Sequence, residues 1–266
     1  MNLIKKILCR LTGNKLSQNL LNKMVNSSLK LMGIGIGADV HSSGEFIIIN
    51  KLKKIKDRDM CVFDVGANVG SFSKLILSSF NYSDKLIVHC FEPSKKTFEL
   101  LKQNVVQSKN IHLNNFGFGK EKGEFQLYYD KEGSGLASLT KRKLDYLNID
   151  FSKSEKVKID TVDNYCNKNN IDKIDLLKID VEGNELNVLA GTEKMFKNKK
   201  IKMVSFEFGG CNIDTKTFFR DYYFFFNDLG FRIFRITPSG FLFLVTLYNE
   251  FLEQFSTTNF LAIHNS

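Results

Sequence analysis

Short apolar runs alternate with segments of helical periodicity along most of this chain. The runs at 61–65, 86–92, 175–180 and 202–208 are mainly apolar and lead into a glycine, a proline or an acidic residue. Between such runs apolar residues recur every three or four positions, which predicts helices. These helices are expected at 71–80, 95–107, 161–169, 184–196 and 215–229. Buried strands that alternate with helices indicate an α/β fold with a mostly parallel sheet covered on both faces.

The remaining strands are predicted from shorter patterns. They are expected at 111–116, 124–129, 157–160 and 259–263, and an antiparallel hairpin is expected from 231–236 and 241–245. Residues 130–155 are rich in Lys, Ser and Gly and are predicted to form a loop insertion. A loop of this length in a compact domain is usually functional or disordered.

The first part of the chain is predicted to be helical. Within residues 1–32, Leu16, Leu20 and Met24 fall at helical spacing. Two interpretations stay open: the helix packs against the domain, which we favour, or a basic amphipathic helix lies on a membrane surface. We expect an N-terminal helical cap of residues 1–58 and a main domain of residues 59–266, which together form a single domain.

Composition narrows the class of protein. The chain has 266 residues, 43% of them hydrophobic and 25% charged, as in an ordinary soluble globular protein. The net charge of +9 suits nucleic acid, an anionic membrane or a phosphorylated substrate. The lysines are scattered, however, so a solvated surface explains most of them. The densest group, at 51–56, is predicted to be the exposed side of a helix.

Cysteine spacing and hydropathy indicate a cytoplasmic protein. The five cysteines show no C-x-x-C spacing, which predicts neither a disulfide framework nor a zinc site. No apolar run reaches the length of about 18 residues that a membrane span needs. Residues 1–10 carry charges where a signal peptide would be apolar. The open alternative is peripheral contact with the inner face of the membrane through the basic N-terminal segment.

The segment around Gly66 and Gly70 carries the clearest chemical signal. The predicted strand 61–65 carries Asp64 near its end, Gly66 and Gly70 follow in a turn, and a helix begins after them. Glycines let a ligand approach the backbone, and the first N–H groups of a helix favour an anionic group. The dinucleotide fingerprint needs G-x-G-x-x-G, but Asn68 occupies the position of its middle glycine. This turn is therefore poorly suited to binding a pyrophosphate.

Acidic residues mark the ends of several predicted strands. Asp64, Glu92, Asp180 and Glu207 all lie at or near a strand carboxyl end. In an open parallel sheet these ends form the ligand-binding edge, so the four side chains are expected around one crevice. The loop before the first strand is expected to bring His41, Ser43 and Glu45 to the same side. His89 lies in mid-strand and is predicted to be a core residue.

Three segments resemble the FkbM-type methyltransferases, which are Rossmann-like class I enzymes. They are Phe63–Gly70, Phe91–Pro93 and Asp175–Glu185, and the third is the most specific. The resemblance covers about residues 45–263. It implies a mostly parallel, seven-stranded sheet and S-adenosyl-L-methionine as cofactor. It also implies methyl transfer to a hydroxyl group, commonly on a sugar of a surface glycan or on a small metabolite.

The resemblance also implies roles for individual residues. Asp64, Gly66, Asn68 and Gly70 would hold the methionine end of the cofactor, Glu92 the ribose hydroxyls, and residues 116–118 would border the adenine. Asp180 and Glu182 would lie beside the methyl group, one as general base and one as substrate anchor, with the assignment open. Lys178 shares a strand face with Asp180. No metal is expected, although paired acids permit a divalent ion.

The favoured hypothesis is an O-methyltransferase of polysaccharide biosynthesis that acts on a glycan sugar or its nucleotide-linked precursor. The first alternative is a nucleic-acid methyltransferase, which would explain the positive charge. Strand 175–180 leads into Asp-Val-Glu-Gly rather than the Asn/Asp-Pro-Pro-aromatic motif of base amino-methylases, so no specific nucleic acid is expected. The second alternative is a non-catalytic protein that binds a membrane surface. The acceptor and the oligomeric state stay open.

Overall fold

A computed structural model describes residues 9–37, 39, 42–55, 59–83, 85–105 and 110–264. The candidate base His41 and the basic residues at 1–8 lie outside these described residues. None of the described helices is long and apolar enough to cross a bilayer.

Eleven strands are found in the described part of the chain. In chain order they are β1 (Met60–Val65), β2 (Leu86–Phe91), β3 (Ile111–Asn114), β4 (Gly117–Phe118), β5 (Gly123–Tyr129), β6 (Lys153–Asp160), β7 (Ile174–Ile179), β8 (Ile201–Phe208), β9 (Phe231–Ile236), β10 (Leu242–Leu244) and β11 (Thr258–His264). Eight of them form one sheet in the order β10-β9-β11-β8-β7-β1-β2-β3. The other three form a small sheet in the order β4-β6-β5.

The large sheet confirms the predicted Rossmann-like architecture. Strands β3, β2, β1, β7 and β8 run parallel to one another. Strand β11 runs antiparallel to both β8 and β9, and β10 pairs antiparallel with β9 as the predicted hairpin. The sheet has one strand more than the seven expected, because β10 adds to its edge.

Nine α-helices accompany these strands in the described residues. They are α1 (Lys15–Leu31), α2 (Phe46–Leu52), α3 (Ser71–Ser79), α4 (Lys95–Asn104), α5 (Val162–Lys168), α6 (Glu185–Ala190), α7 (Glu193–Lys197), α8 (Cys211–Thr215) and α9 (Phe219–Asp228). Two predicted helices are each divided. The one at 184–196 breaks at Gly191, where an added Cβ would lie 2.0 Å from the carbonyl oxygen of Gly119. The one at 215–229 is preceded by the separate helix α8 and begins only at Phe219.

The N-terminal segment matches its prediction only in part. Helix α1 forms as expected, and none of its residues is buried. Helix α2 instead includes the three isoleucines at 47–49 and ends at Leu52, a fully buried residue. The basic group at 51–56 is therefore not one exposed helical face. Ile48, Ile49 and Leu52 join the core beneath the sheet.

Apolar side chains cover both faces of the central strands. In β1, Phe63 and Val65 belong to one core cluster, whereas Met60 and Val62 belong to the other. This division is typical of parallel strands that are buried on both faces. His89 lies in the core as predicted, with Nδ1 2.9 Å from the Tyr165 hydroxyl oxygen. Burial, together with His112, lowers the pKa of His89 to about 3, so its ring is neutral.

The insertion at 130–155 is more ordered than a loop. Tyr128 and Ser138 form an antiparallel bridge, a 3₁₀ turn spans Asp145–Leu147, and β6 already begins at Lys153. The segment thus folds back along β5 toward the carboxyl ends of β1 and β7.

Candidate active site

Two clefts meet at the carboxyl ends of β1, β2 and β7. The apolar cleft, of about 560 Å³, contains Glu92 at one end and is lined further along by Pro93, Phe118, Leu127, Ala137, Leu139 and Ile159. The polar cleft, of about 690 Å³, is lined by Asp39, Glu45, Asp64, Phe72, Lys178 and others. Gly66, Asn68 and Asp180 line both clefts. Asp180 therefore lies where the two clefts join.

The turn after β1 requires glycine for steric reasons. Gly66 has a φ of +80°, and an added Cβ would lie 1.8 Å from the carbonyl oxygen of Asp180. The N–H groups of Gly66 and Ala67 both donate to the carbonyl oxygen of Phe91, which ties β1 to β2. Gly70 precedes α3 with a φ of +88° but packs toward Val105, away from both clefts. The predicted motif thus divides into a cleft-lining part and a packing part.

Asp64 presents an unpaired acceptor inside the site. Its side chain is fully buried, and the Ser73 hydroxyl donates to Oδ2 at 2.6 Å. Oδ1 has no hydrogen-bond partner among the described residues and lies 3.9 Å from Lys178 Nζ. Burial raises the pKa of Asp64, and Lys178 and Ser73 oppose this rise. A cationic donor in the polar cleft would satisfy this oxygen.

Glu92 is held by the backbone on both oxygens. The Asn68 N–H donates to Oε2 at 3.0 Å and the Ser94 N–H donates to Oε1 at 2.9 Å. Burial raises the pKa of Glu92 to about 7, and the two N–H groups oppose the rise. Each carboxylate oxygen can accept a further hydrogen bond, so the pair suits two neighbouring hydroxyl groups.

Lys178 is the central cation of the site. Its Nζ lies 2.9 Å from Asp180 Oδ2 and 5.3 Å from the centre of the Phe72 ring. Burial opposes its charge, but the carboxylates of Asp180, Asp64 and Glu45 outweigh burial and raise the pKa of Lys178. The lysine therefore stays charged. Its ion pairs within the described residues are with Asp180 and Asp64. The expectation that Glu207 lies around the same crevice is wrong, because Glu207 lines neither cleft.

The turn after β7 is strained and carries Glu182. This residue has a φ of +52° and Gly183 a φ of +97°. A non-glycine residue in this region costs about 1–3 kcal/mol and persists only where its surroundings hold it. Glu185 provides that support, because its Oε1 accepts the N–H groups of Val181 and Gly183. The Tyr222 hydroxyl donates to the other oxygen of Glu185 at 3.1 Å.

The insertion closes over this turn through Arg142. Its Nη1 lies 2.6 Å from Glu182 Oε2, and its Nε lies 3.4 Å from Asp214 Oδ2. The Ser138 hydroxyl donates to the backbone oxygen of Glu182 at 2.7 Å. Burial and the Asp180 carboxylate raise the pKa of Glu182, and the Arg142 guanidinium opposes the rise. The sequence analysis missed Arg142, although it is the only arginine between residues 59 and 219.

Glu45 reaches the polar cleft from the N-terminal segment, as the sequence analysis expected. It directly precedes α2, and the Ser43 hydroxyl donates to its Oε2 at 2.8 Å. Burial raises the pKa of Glu45, while Lys178 and Ser43 oppose the rise. Within the described ranges no three His, Cys, Asp or Glu side chains are grouped as ligands for a metal ion.

Together the clefts suit a ligand with two different ends. The apolar cleft offers ring-sized apolar walls and a carboxylate for vicinal hydroxyls, which fits a nucleoside. Asp64 in the polar cleft and Asn68, which lines both clefts, each have an Oδ1 atom without a hydrogen bond among the described residues, and these acceptors fit an ammonium group. S-adenosylmethionine combines these two ends.

Comparison with known proteins identifies a matching sequence family. The sequence profile described as the methyltransferase FkbM domain matches residues 64–233. A hexuronic acid methyltransferase, AglP, of Haloferax volcanii is 25% identical over 167 residues, which are 62% of this chain and 64% of that protein. The chain thus spans less than two thirds of the length of that relative.

Solved structures include similar folds. An FkbM methyltransferase from Methylobacillus flagellatus has a TM-score of 0.44 at 14% identity, over 84% of this chain and 55% of that one. The N-terminal domain of human METTL16 in complex with SAH has a TM-score of 0.42 at 13% identity, over 84% and 67% of the two chains. The profile match covers well over half of the sequence. The chain therefore belongs to the FkbM family of S-adenosylmethionine-dependent methyltransferases.

Proposed function

We propose that this protein transfers a methyl group from S-adenosylmethionine to a hydroxyl group of a sugar. The observation that carries the proposal is the position of Asp180 at the junction of the two clefts. A base at this point can contact a group bound in the polar cleft, and it also borders the apolar cleft. This is the arrangement that direct transfer between two bound molecules requires.

The cofactor would be held by side chains from three strand ends. Glu92 would accept hydrogen bonds from the ribose hydroxyls, and Phe118 and Ile159 would pack against the adenine. Asp64 Oδ1 and Asn68 Oδ1 would accept from the ammonium group. When bound, S-adenosylmethionine supplies an electrophilic methyl group on a positively charged sulfur.

Asp180 is the proposed general base. Its side chain is 43% exposed, and Lys178 Nζ fixes Oδ2 at 2.9 Å. The acceptor hydroxyl would give its proton to this carboxylate as the oxygen attacks, a contribution of about 10²–10⁴-fold. Glu182 is engaged by Arg142 and is half-buried, so we assign it to anchoring the insertion rather than to proton transfer.

A hydroxyl-rich acceptor fits the charges of the polar cleft. Besides Asp64, which is assigned to the ammonium group of the cofactor, three carboxyl side chains and one ammonium line this cleft: Asp39, Glu45, Asp180 and Lys178. Carboxyl oxygens accept hydrogen bonds from hydroxyl groups, whereas an anionic group would face like charges. The name of the Haloferax relative supports a sugar as the class of acceptor.

The decisive experiment compares Asp180→Asn with Glu182→Gln. Methyl transfer from labelled S-adenosylmethionine to a panel of sugar glycosides gives activity, and calorimetry with S-adenosylhomocysteine gives cofactor affinity. We expect Asp180→Asn to lose at least about 100-fold in kcat with nearly unchanged cofactor affinity. Glu182→Gln is expected to retain more activity. Equal losses in both variants would overturn the assignment of the base, and failure of the wild type to bind the cofactor product would overturn the proposed function.

A further inference from the structure

Helix α1 displays an apolar face that no part of the described protein covers. None of its 17 residues is buried, and Leu16 is 82% exposed. At 100° per residue, most of the exposed apolar side chains fall within an arc of about 140°. These are Leu16, Leu20, Leu21, Met24 and Leu31, whereas the exposed Val25 lies outside this arc. The opposite side carries Asn19, Asn22 and Asn26. Such a patch on a helix surface marks a contact with another molecule or with a membrane.

The charge of this helix selects among possible partners. It carries Lys15, Lys23 and Lys30 and no acidic residue, and the first acidic residue of the chain is Asp39. Two copies of α1 would therefore repel each other, because each brings the same positive charge. An anionic phospholipid surface supplies both the apolar interior and the opposite charge that this helix lacks.

The segment after α1 fixes the helix at the edge of the sheet that bears the clefts. The N–H groups of Gly35 and Gly37 both donate to the carbonyl oxygen of Thr257 at 3.0 Å. Asn259 Nδ2 donates to the carbonyl oxygen of Gly37, and Gly37 itself lines the polar cleft. Thr257 directly precedes β11, whose first residue lies opposite the carboxyl end of β8. The helix thus leaves the domain beside the candidate active site.

Exposed phenylalanines lie close to the root of α1. Phe251 is 85% exposed, and it lines a shallow cavity together with Ile34. Phe46 and Phe241 are also exposed. The Phe46 ring packs on Gly240, next to Phe241 in the turn between β9 and β10. Aromatic rings at the margin of an amphipathic helix extend the area that can enter a lipid headgroup layer.

We propose that α1, with Phe46, Phe241 and Phe251 at its root, is a contact surface for an anionic phospholipid bilayer. The helix lies in the plane of the interface with its apolar side chains among the lipids and its lysines at the headgroups. The clefts then lie next to the membrane surface. This inference rests on the exposed surface and its charge, so it stands independently of the proposed acceptor.

The test is flotation of the full-length protein with two kinds of vesicle. One kind is phosphatidylcholine alone, and the other contains about 30% phosphatidylglycerol. The test variant Leu20→Asp with Met24→Asp places two charges on the apolar side. The matched control Asn19→Asp with Asn22→Asp adds the same charge on the polar side of the same helix. Since all four positions are exposed, both variants are expected to melt at the temperature of the wild type.

We expect the wild type to float at least about fivefold better with anionic than with neutral vesicles, and less well at high salt. The apolar-side variant should lose flotation, while the polar-side control should keep most of it. Absence of flotation by the wild type, or equal losses in both variants, would overturn the proposal. Self-association that the apolar-side variant abolishes, without vesicle binding, would also overturn it in favour of a second copy of the chain.

Discussion

Glu92 combines a buried position with a task that requires charge. Burial raises its pKa to about 7, above the 4.5 of an ordinary glutamate. Between these two values a proton binds the folded protein more tightly than the unfolded chain. The contribution of Glu92 to the free energy of unfolding is therefore most favourable at low pH, and it is lost as the pH rises through 7. The fold tolerates this cost because the carboxylate can accept hydroxyl groups of the ligand.

Substitution Glu92→Gln separates these two roles. The Gln side chain loses one of the two backbone hydrogen bonds of Glu92 at either pH. Because Gln does not titrate, the unfolding free energy of the variant relative to the wild type should be higher at pH 8 than at pH 5.5 by about 2 kcal/mol. Affinity for S-adenosylhomocysteine should fall by roughly tenfold or more at pH 8. Urea unfolding at both pH values and calorimetry at pH 8 measure the two effects. If the difference in unfolding free energy between the variant and the wild type were the same at both pH values, Glu92 would not be the titrating group.

The titration of Glu92 should also appear in the pH dependence of the affinity of the wild type for S-adenosylhomocysteine. If only the ionised form of Glu92 binds the ribose, affinity for S-adenosylhomocysteine should rise by roughly tenfold from pH 6 to pH 8. Calorimetry across this range tests the expectation. The Glu92→Gln variant serves as the control, since its weaker binding should be nearly independent of pH, and a parallel rise in both proteins would assign the effect to another group.

Gly66 sets the distance between two turns of the site. Its added Cβ would lie 1.8 Å from the carbonyl oxygen of Asp180, and its φ of +80° disfavours any side chain. Substitution Gly66→Ala is therefore expected to cost at least about 3 kcal/mol of unfolding free energy. The matched control is Gly210→Ala, where the nearest atom lies 3.9 Å from the added Cβ. Urea unfolding of both variants measures the difference, and similar stabilities would contradict the steric argument.

At the scale of elements, the strand ends were more predictable than the covering segments. The run before Asp64 and the run before Asp180 each show in their own sequence that they are buried strands leading into a polar turn. The packing of the 130–155 segment depends instead on pairs such as Arg142 with Glu182, which lie 40 residues apart. Likewise, the break at Gly191 comes from its approach to Gly119, which a local periodicity does not encode.

Helix α1 is a second case in which the sequence pattern predicts an element but not its packing. Its periodicity predicts a helix with one apolar face, and the structure contains that helix. The same pattern would result whether the apolar face met the protein core or a lipid surface. That no residue of α1 is buried is a property of the fold, which the periodicity does not encode.

Arg142 links the insertion to the turn after β7. Its side chain is largely buried between Glu182 and Asp214. Loss of the cation would leave two carboxylates without their partner, and breaking such a buried pair typically costs about 3–5 kcal/mol. We expect Arg142→Met to reduce stability and cofactor affinity, and to expose the 130–155 segment to limited proteolysis. Arg142→Lys should be intermediate, because lysine retains the charge but lacks the planar fork.

A triple variant tests whether charge alone explains the effect of Arg142. Combining Arg142→Met with Glu182→Gln and Asp214→Asn removes the carboxylates together with the cation. We expect this protein to regain most of the stability that Arg142→Met loses, while methyl transfer stays low because the segment is no longer anchored. If activity returned with stability, the role of Arg142 would be purely electrostatic.

At the scale of the whole molecule, charge is distributed unevenly. The chain carries a net charge of +9, yet four carboxyl side chains and one ammonium line the polar cleft. The positive surface favours the approach of anionic partners, whereas the interior of the cleft disfavours an anionic group at the reacting position. The acceptor is therefore expected to present a neutral, hydroxylated ring to Asp180, with any anionic part of the molecule outside the cleft.

Matched acceptors test this division of charge. For a hexose glycoside and the corresponding hexuronic acid glycoside, we expect kcat/KM to favour the neutral sugar by at least about tenfold, since a desolvated like-charge contact costs more than 1 kcal/mol. Glu45→Gln should narrow this ratio, because it removes one carboxyl group from the cleft without touching the proposed base. Glu193→Gln, at an exposed position of helix α7, is the control and should leave the ratio unchanged. A preference for the uronic acid in the wild type would mean that Lys178, rather than the carboxylates, dominates the field at the acceptor.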